Sequence, residues 1–294
     1  MSDYVKRNAC TVKFAHSGSW VILSPIEESI KRKIEAVGVP LKDWDIQINY
    51  GIKTGCNEAF IIKTERRDAI LAACADEAER ERTEKLIRPI LRGRDIKRYG
   101  YQWADLWLIN AHNGVKGRIE RIHIEDYPAV KGWLDNGGIA FNGKEYKGYS
   151  QLEKRADQGD TPYNLRNCAY MEDFDKPKIV WIELTDESKF AYSEDGIIPL
   201  NTIFFMVGEN LPYLLANLNS KLIHWYFTTC LGCTSGVGTN RWLKFTIEQL
   251  PIKPNTGNIK WDNLIDGNFN NEIETSLAQL YGLSKDETEF IVIQ

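Results

Sequence analysis

Residues 86–99 read LIRPILRGRDIKRY, and the interpretation of the whole chain starts from this stretch. Its five cations stand against a single acid, Asp95; they are Arg88, Arg92, Arg94, Lys97 and Arg98. The excess of positive charge is local, because the chain as a whole has 37 Lys+Arg, 41 Asp+Glu and a formal net charge of −4. Gly93 loosens the backbone between two guanidinium groups that must be solvated or paired. Guanidinium groups suit phosphate oxygens and the edge of guanine, although a solvated turn is the alternative for a basic run of this kind.

The bulk composition is that of a soluble globular protein with one large or two modest domains. The 294 residues are 43% hydrophobic and 27% charged. No apolar run approaches the ~20 residues of a membrane span, and the first ten residues lack the apolar core of a signal peptide. We therefore expect no membrane partner, a cytoplasmic location and reduced cysteines. The acidic balance argues against a uniformly basic nucleic-acid binder, so any DNA contact must come from one focused face.

A metal or redox role for the cysteines has little support in the sequence. Only Cys230 and Cys233 have CxxC spacing, and a four-ligand zinc site would need a second pair. His224, six residues upstream, lies on a predicted helix. Two half-buried thiols are the simpler interpretation, and we expect no metal ligand in this chain.

Short strands, short helices and long loops follow one another along the chain. Ser24-Pro25 with acids in the next turn is a helix start, and the helix should end at Gly38. Residues 65–85 should form a charged helix or helical loop, and the other predicted helices are 126–134, 150–157, 210–227 and 272–281. The predicted strands are 44–52, 59–63, 103–110, 178–184, 190–192 and 203–207. The Gly-rich stretch 137–148 should be an insertion or a DNA-facing loop.

This pattern predicts the α/β (α+β) class: a mixed sheet with short helices and long loops, and a helical C-terminal subregion. We expect an entry segment over 1–44 and a recognition domain over 45–255. An acidic helical extension should occupy 256–294.

The turn 51–55 (GIKTG) joins two predicted strands. A turn flanked by glycines, with Lys53 and Thr54 at its tip, offers backbone N–H groups and a cation to a phosphate. It does not match the phosphate-binding loop GxxxxGK[ST], so nucleotide hydrolysis is not supported. Taken alone, such a turn is more often a simple hairpin.

Six blocks, in this order and spacing, resemble one known family. They are GIKTGCNEAFII (51–62), LIRPILRGRDIKRY (86–99), LEKRADQGDTPYNLRNCAYMEDFDKPKIVW (152–181), PLNTIFF (199–205), YLLANLNSKL (213–222) and RWLKFTIEQLPI (241–252). Together they resemble the TaqI-like C-terminal specificity domain, the target-recognition module of type IIG restriction–modification enzymes and related DNA adenine methyltransferases. The resemblance covers roughly residues 15–255, most of the chain.

The resemblance implies sequence-specific binding of double-stranded DNA for a methyltransferase and nuclease that act elsewhere. The chain has no Asn-Pro-Pro-Tyr motif, for which Asp160-Thr-Pro-Tyr163 is only a superficial echo, and no FxGxG cofactor loop. We therefore expect a separated or truncated recognition half without catalytic residues of its own. S-adenosylmethionine and Mg²⁺ are expected only in the missing catalytic domains, which would be this chain's partners.

Two other functions stay open at this point. The chain could be an interaction module that docks a methyltransferase subunit. It could also be a metal-dependent nuclease, since Glu187-Ser-Lys189 follows Asp173 and Asp175, and Glu145-Tyr-Lys147 follows Asp135. Short charged triplets of this kind arise by chance in any highly charged chain.

Residue chemistry divides the candidate DNA contacts into two groups, because phosphate contacts fix register and base-edge contacts carry sequence information. The phosphate candidates are Lys53, Thr54, Arg92, Lys97, Arg98 and Lys244. The base-edge candidates are Arg94, Asn164, Arg166, Asn167 and Arg241. As alternatives, Asn164 and Asn167 could close turns, and Arg166 could pair with Glu172 or Asp173.

Overall fold

A computed structural model describes residues 22–194, 196–232, 234, 238–255 and 271–293. Helices alternate with short strands along the chain, and the strands form several small sheets. This architecture confirms the predicted α/β class. The backbone contacts divide the chain into two units. Unit 1 comprises the described parts of 1–46, 184–188 and 209–294, and unit 2 comprises 47–183 and 189–208. The predicted boundaries at 44/45 and 255/256 remain predictions.

Unit 2 contains two four-stranded sheets. One has the strand order β10-β4-β5-β3 and the other the order β2-β11-β8-β9. The first sheet consists of β3 (Ile61–Lys63), β4 (Ile87–Leu91), β5 (Leu106–Ile109) and β10 (Ile198–Pro199). The second consists of β2 (Ile46–Tyr50), β8 (Lys178–Ile182), β9 (Phe190–Ser193) and β11 (Ile203–Gly208). Strand β4 is antiparallel to β5 but parallel to β10, so the first sheet is mixed, as predicted.

Apolar side chains from both sheets and the surrounding helices form one core in unit 2. The helices and the hairpin of this unit are α2 (Asn57–Phe60), α3 (Thr64–Ala72), α4 (Glu77–Leu86), α5 (Pro128–Asn136), β6–β7 (Gly138–Ile139 and Glu145–Tyr146) and α6 (Tyr149–Leu152). Short 3-10 turns at Gly93–Asp95, Ile124–Asp126 and Met171–Asp175 bound the loops.

Unit 1 is mainly helical. It begins with helix α1 (Pro25–Val37), whose start is fixed as the sequence predicts: the Ser24 N–H and hydroxyl both donate to Glu27 Oε2 at 2.7 Å. Its other elements are β1 (Val39–Pro40), α7 (Leu211–Asn219), α8 (Lys221–Tyr226), a π-helical turn (Phe227–Leu231), α9 (Lys244–Ile247), β12 (Pro251–Ile252), α10 (Asn271–Leu280) and α11 (Lys285–Ile293). Strands β1 and β12 pair in antiparallel. Among the described residues, no helix is both long and apolar enough to cross a membrane.

Four predicted elements differ from the structure. The turn 51–55 does not close a hairpin, because β2 lies beside β11 in one sheet and β3 pairs with β5 in the other. The predicted helix 210–227 is divided at Ser220, whose hydroxyl caps α8 by accepting from the Ile223 N–H at 3.1 Å. The predicted helix 65–85 is also two helices, and the helix at 150–157 is a single turn. Local periodicity did not reveal these breaks.

The Gly-rich stretch 137–148 contains the β6–β7 hairpin, in which Gly138 pairs with Tyr146. Tyr146 is buried and its hydroxyl donates to the Leu134 carbonyl at 2.8 Å. The hairpin is therefore anchored to helix α5, and it is part of the fold of unit 2 and not a bare loop.

Candidate nucleic-acid interface

Three segments of unit 2 run in the same direction and end at one edge. Strand β10 is parallel to β4, and Ile52, just beyond β2, forms a parallel bridge with Leu200. The Leu200 N–H donates to the Leu91 carbonyl at 2.9 Å, and the Ile52 N–H donates to the Pro199 carbonyl at 2.7 Å. The residues that follow these ends are therefore neighbours although they are distant in sequence: Lys53, Arg92–Arg94 and Asn201-Thr202. We call this edge, together with the turn 96–101 and the loop 156–170, the basic edge.

Close backbone packing holds the segments of the basic edge together. A Cβ built on Gly51 would lie 2.2 Å from the Leu200 carbonyl oxygen, and one on Gly93 would lie 2.8 Å from Ile182 Cγ2. Neither site has room for a side chain, so both glycines are required by packing. For Gly93, the sequence predicted only a loosening of the backbone.

Lys97 and Arg98 lie at the tip of a tight turn. The Lys97 N–H donates to the Gly100 carbonyl at 2.8 Å, and Ile96 bridges Tyr101. Tyr99, at φ 73°, fixes the turn to β9, since its N–H donates to the Phe190 carbonyl and its carbonyl accepts from the Tyr192 N–H. Lys97 and Arg98 are exposed, and the Arg98 guanidinium stands 5.1 Å from the Tyr99 ring centroid.

The arginines of the basic stretch have different roles. Arg92 forms a bidentate ion pair with Asp95, in which Nε and Nη2 each donate to one carboxylate oxygen at 2.8 Å. Asp95 is buried, and the hydrogen bond with its carboxylate raises the pKa of Arg92. The phosphate assignment of Arg92 is therefore not supported, because its guanidinium already holds a buried carboxylate. Arg94 is exposed and makes no hydrogen bond or ion pair with any residue that the structure describes.

The loop 156–170 adds a second charged group to the basic edge. The Asp157 carboxylate lies 2.8 Å from Lys53 Nζ and 3.5 Å from an Arg166 amino group, so one acid is shared by two cations. Hydrogen bonding from Lys53 holds the pKa of Asp157 below its usual value. Both cations keep about half of their side-chain surface exposed, 46% for Lys53 and 53% for Arg166. They remain able to contact a phosphate or a base, whereas the predicted alternative pairing of Arg166 with Glu172 or Asp173 is not seen.

A cavity of about 370 Å³ opens between the turn 50–53, the segment 166–170 and Asn201. Arg166 and Asn167 line it together with Lys53, Tyr50 and Tyr170. Asn167 is exposed and its side-chain oxygen accepts from Asn113 at 2.5 Å. The arrangement combines cations, amides and aromatic rings, which are the groups that contact phosphates and base edges.

Two predicted contacts are corrected by the structure, because their side chains are only 2% exposed. The Thr54 hydroxyl donates to Asn57 Oδ1 at 2.5 Å, at the first residue of the following helical turn. The Asn164 amide donates to the carbonyls of His112 and Ile122, at 3.2 and 2.8 Å, and its oxygen accepts from Thr161. Neither side chain faces solvent, so both are fold residues and not DNA contacts. The Asn164 amide thus joins distant segments of the backbone, whereas the predicted alternative had it close a local turn.

Lys244 and Arg241 lie in unit 1. Lys244 starts helix α9 and stands 3.7 Å from Glu248, and Arg241 forms an antiparallel bridge with Leu184. Both residues are half-exposed. Their roles in binding DNA stay predictions.

Arg155, which was not among the predicted site residues, joins the backbone segments of the basic edge. Its guanidinium donates to four carbonyls, those of Thr54, Asp157, Pro162 and Asn164. Its side chain is 6% exposed and packs 4.8 Å from the Phe60 ring centroid. Burial lowers the pKa of Arg155 to about 10, which leaves it charged at neutral pH. Its only signal in the sequence was its place in the 152–181 block.

The candidate metal groups do not assemble in the described part of the chain. There, no three His, Cys, Asp or Glu side chains lie close enough to hold a metal ion. Cys230 is half-buried and burial raises the pKa of its thiol to about 11, whereas Cys233 lies outside the described residues.

A family model, described as the TaqI-like C-terminal specificity domain, matches residues 88–252, which is more than half of the chain. The chain belongs to this family. The match begins inside the basic stretch and includes the loop 156–170, the PLNTIFF block and α9. Thus the specificity-domain family contains most of the basic edge, but the turn with Lys53 lies before the matched range.

The chain is similar to two solved restriction enzymes, and the first of them supports the fold. The type IIG restriction endonuclease BpuSI superposes with a TM-score of 0.54 at 13% identity, over 90% of this chain and 31% of that enzyme. The type IIL restriction–modification enzyme MmeI, solved in complex with DNA, gives a TM-score of 0.47 at 13% identity, over 86% of this chain and 32% of that enzyme. The chain thus spans about a third of the length of each. No curated protein matches it.

Proposed function

We propose that this chain is the double-stranded DNA recognition module of a type IIG-like restriction–modification enzyme. The observation that carries the proposal is the basic edge. There, the ends of parallel segments and two loops bring exposed Lys and Arg side chains together on unit 2 of a protein with a net negative charge. Membership of the specificity-domain family supports it, since a specificity domain is the part that chooses the target.

The exposed groups of the basic edge divide by chemistry. Lys53, Lys97 and Arg98 place ammonium or guanidinium groups on tight turns. Such groups contact phosphates without reading the base sequence. Arg94, Arg166 and Asn167 have the donor patterns that pair with guanine or adenine in the major groove. The exposed amide of Asn201, which was not among the predicted site residues, lines the same cavity as Arg166 and Asn167.

The test is duplex binding by the double variant Arg94→Ala/Lys97→Ala. Neither side chain pairs with a described residue, so the fold should be unchanged while two cations of the edge are lost. Each phosphate contact removed should lower the slope of log K against log salt by ~0.9. We expect at least a tenfold loss of affinity at low salt. Binding is measured by fluorescence anisotropy at several salt concentrations.

The matched control is Arg32→Ala/Lys285→Ala, which removes one arginine and one lysine from exposed helix positions of unit 1. It changes net charge equally, so it should alter duplex affinity by less than a factor of about two. Equal losses in the two double variants would show that net charge alone matters, and the basic edge would then not be the interface.

Catalysis would belong to another domain of the same or a companion polypeptide. The chain spans 31% of BpuSI, and S-adenosylmethionine and Mg²⁺ would be held by the remaining part. The exposed large apolar side chains of unit 1 include Leu184 at 52% and Phe245 at 57%. These favour a protein contact and support docking of a methyltransferase domain as the second candidate function. The double variant Leu184→Ser/Phe245→Ser should weaken such docking and leave duplex binding unchanged.

A further inference from the structure

A second cavity of unit 2, with a volume of about 350 Å³, has no part in the proposed DNA contacts. It lies beside the start of β4 and the end of β5, and the 3-10 turn Met171–Asp175 forms another wall. Its size is at the lower end of the range for small-molecule sites, which suits a ligand no larger than a mononucleotide.

Asn110 is the feature of this cavity that the fold does not explain. It follows β5 directly, and its backbone is satisfied, since its N–H donates to the Leu86 carbonyl at 3.1 Å. Its side-chain oxygen is buried and accepts no hydrogen bond from any residue that the structure describes. An unpaired buried acceptor costs stability, so a polar residue is kept here at the expense of the fold. Such exceptions are expected at binding sites.

His112 supplies a hydrogen-bond donor of fixed position. Its Nδ1 accepts from the Gly114 N–H at 3.2 Å, which leaves the proton on Nε2. Burial lowers the pKa of His112, so the ring is neutral near pH 7. The cavity therefore contains a carboxamide, which both donates and accepts, beside an imidazole N–H donor.

Two cations, Lys85 and Arg82, also line this cavity. Lys85, in the last turn of α4, is exposed and unpaired among the described residues. Arg82 donates its Nε proton to the Asp126 carbonyl and stands 6.0 Å from the Tyr127 ring centroid. The two acids of the lining are neutralised, because Glu172 pairs with Arg118 and Asp175 pairs with Arg88, at 2.8 and 2.6 Å. The remaining walls are apolar; they are Leu86, Ile119, Ile122, Met171, Phe174 and Ile198.

We infer that this cavity binds an adenine nucleoside monophosphate unit, with the base at Asn110 and His112 and the phosphate at Lys85 and Arg82. A carboxamide pairs with the amine and ring nitrogen of adenine through two hydrogen bonds. The apolar walls suit the faces of the base, and the two cations suit the phosphate. The unit could be a free nucleotide or one unpaired nucleotide of a DNA strand, since both present the same groups.

The probes are AMP, IMP, adenosine and inorganic phosphate, titrated calorimetrically into the full chain. AMP should bind. IMP should bind at least tenfold more weakly, because it has a carbonyl where AMP has the amine. The Lys85→Ala variant should bind AMP about tenfold more weakly than the wild type does, whereas its affinity for adenosine should hardly change. Asn110→Leu should abolish AMP binding and raise the unfolding temperature of the free protein, because it removes the unpaired acceptor. Asn110→Asp, which keeps the shape of the side chain, should also lose AMP.

Arg94→Ala/Lys97→Ala is the matched control and should bind AMP normally, which separates this site from the basic edge. Competition by an adenine-bearing single strand would identify the DNA strand as the source, and its absence would identify the free nucleotide. The proposal is overturned if AMP gives no heat at millimolar concentration, if phosphate binds as tightly as AMP, or if both Asn110 variants bind AMP like the wild type.

Discussion

Replacement of Arg155 by methionine should loosen the loops that present the basic edge. Methionine keeps the apolar stem against Phe60 but removes the four hydrogen bonds that the guanidinium donates to carbonyls. Of these carbonyls, that of Asn164 still accepts from the Gly159 N–H at 2.9 Å. At about 1.5 kcal/mol for each hydrogen bond to a charged group, simple addition over the four bonds gives a loss of about 6 kcal/mol. Water can reach the outer carbonyls once the loop opens, so we expect a net loss of about 3–5 kcal/mol.

The assay is urea unfolding followed by tryptophan fluorescence, together with amide hydrogen exchange. Exchange should rise first in the turn 51–55 and the loop 155–165, because Arg155 joins these two segments. The control is Arg166→Met, an exposed arginine in the same loop, for which we expect a loss below about 0.5 kcal/mol. If the two variants unfold at the same urea concentration, the carbonyls do not depend on Arg155 and the reasoning fails.

The remaining predictions concern single ion pairs. Arg92→Ala should cost about 1–3 kcal/mol of stability because it leaves the buried Asp95 carboxylate unpaired, whereas Arg94→Ala should leave urea unfolding unchanged; equal midpoints for the two would contradict this. Glu287 accepts from Lys33 at 2.6 Å, and although burial acts the other way, this and further hydrogen bonds lower its pKa to about 2. A lowered carboxyl pKa stabilises the fold above the unfolded value of ~4.3 and is lost as the pH falls toward 2, a contribution on the order of 3 kcal/mol. Glu287→Gln should therefore flatten the acid limb of the stability–pH curve, and an unchanged limb would count against this pair.

Local signals in the sequence predicted the elements that local chemistry decides. The start of helix α1 was predicted to the residue, because Ser24, Pro25 and Glu27 form a capping box that needs no distant partner. The alternation in 44–52 likewise predicted strand β2, although the strand ends at Tyr50.

Pairing between strands that are distant in sequence determined the features that local patterns did not predict. The turn 51–55 looked like a hairpin, yet its flanking strands pair with β11 and β5, which lie far along the chain. The same pairing places Asn201 beside Lys53, a neighbourhood that no spacing reveals. Thr54 and Asn164 have the residue types of DNA contacts but are buried, and burial depends on the loop held by Arg155.

The basic stretch shows the same division within fourteen residues. Its charge excess was visible at once, but the structure assigns Arg92 to an internal ion pair and leaves Arg94 and Lys97 exposed. A count of cations cannot separate these roles, because the pairing depends on the 3-10 turn that brings Asp95 back to Arg92.

The most direct test of the central claim is selection from a randomised duplex library at fixed salt, with wild type and Arg166→Ala/Asn167→Ala compared. The account predicts that the wild type enriches one short sequence, and that the variant still binds duplex but loses preference at one or more positions. Enrichment of no sequence by the wild type, at a salt concentration where it binds duplex, would contradict a recognition function for this chain.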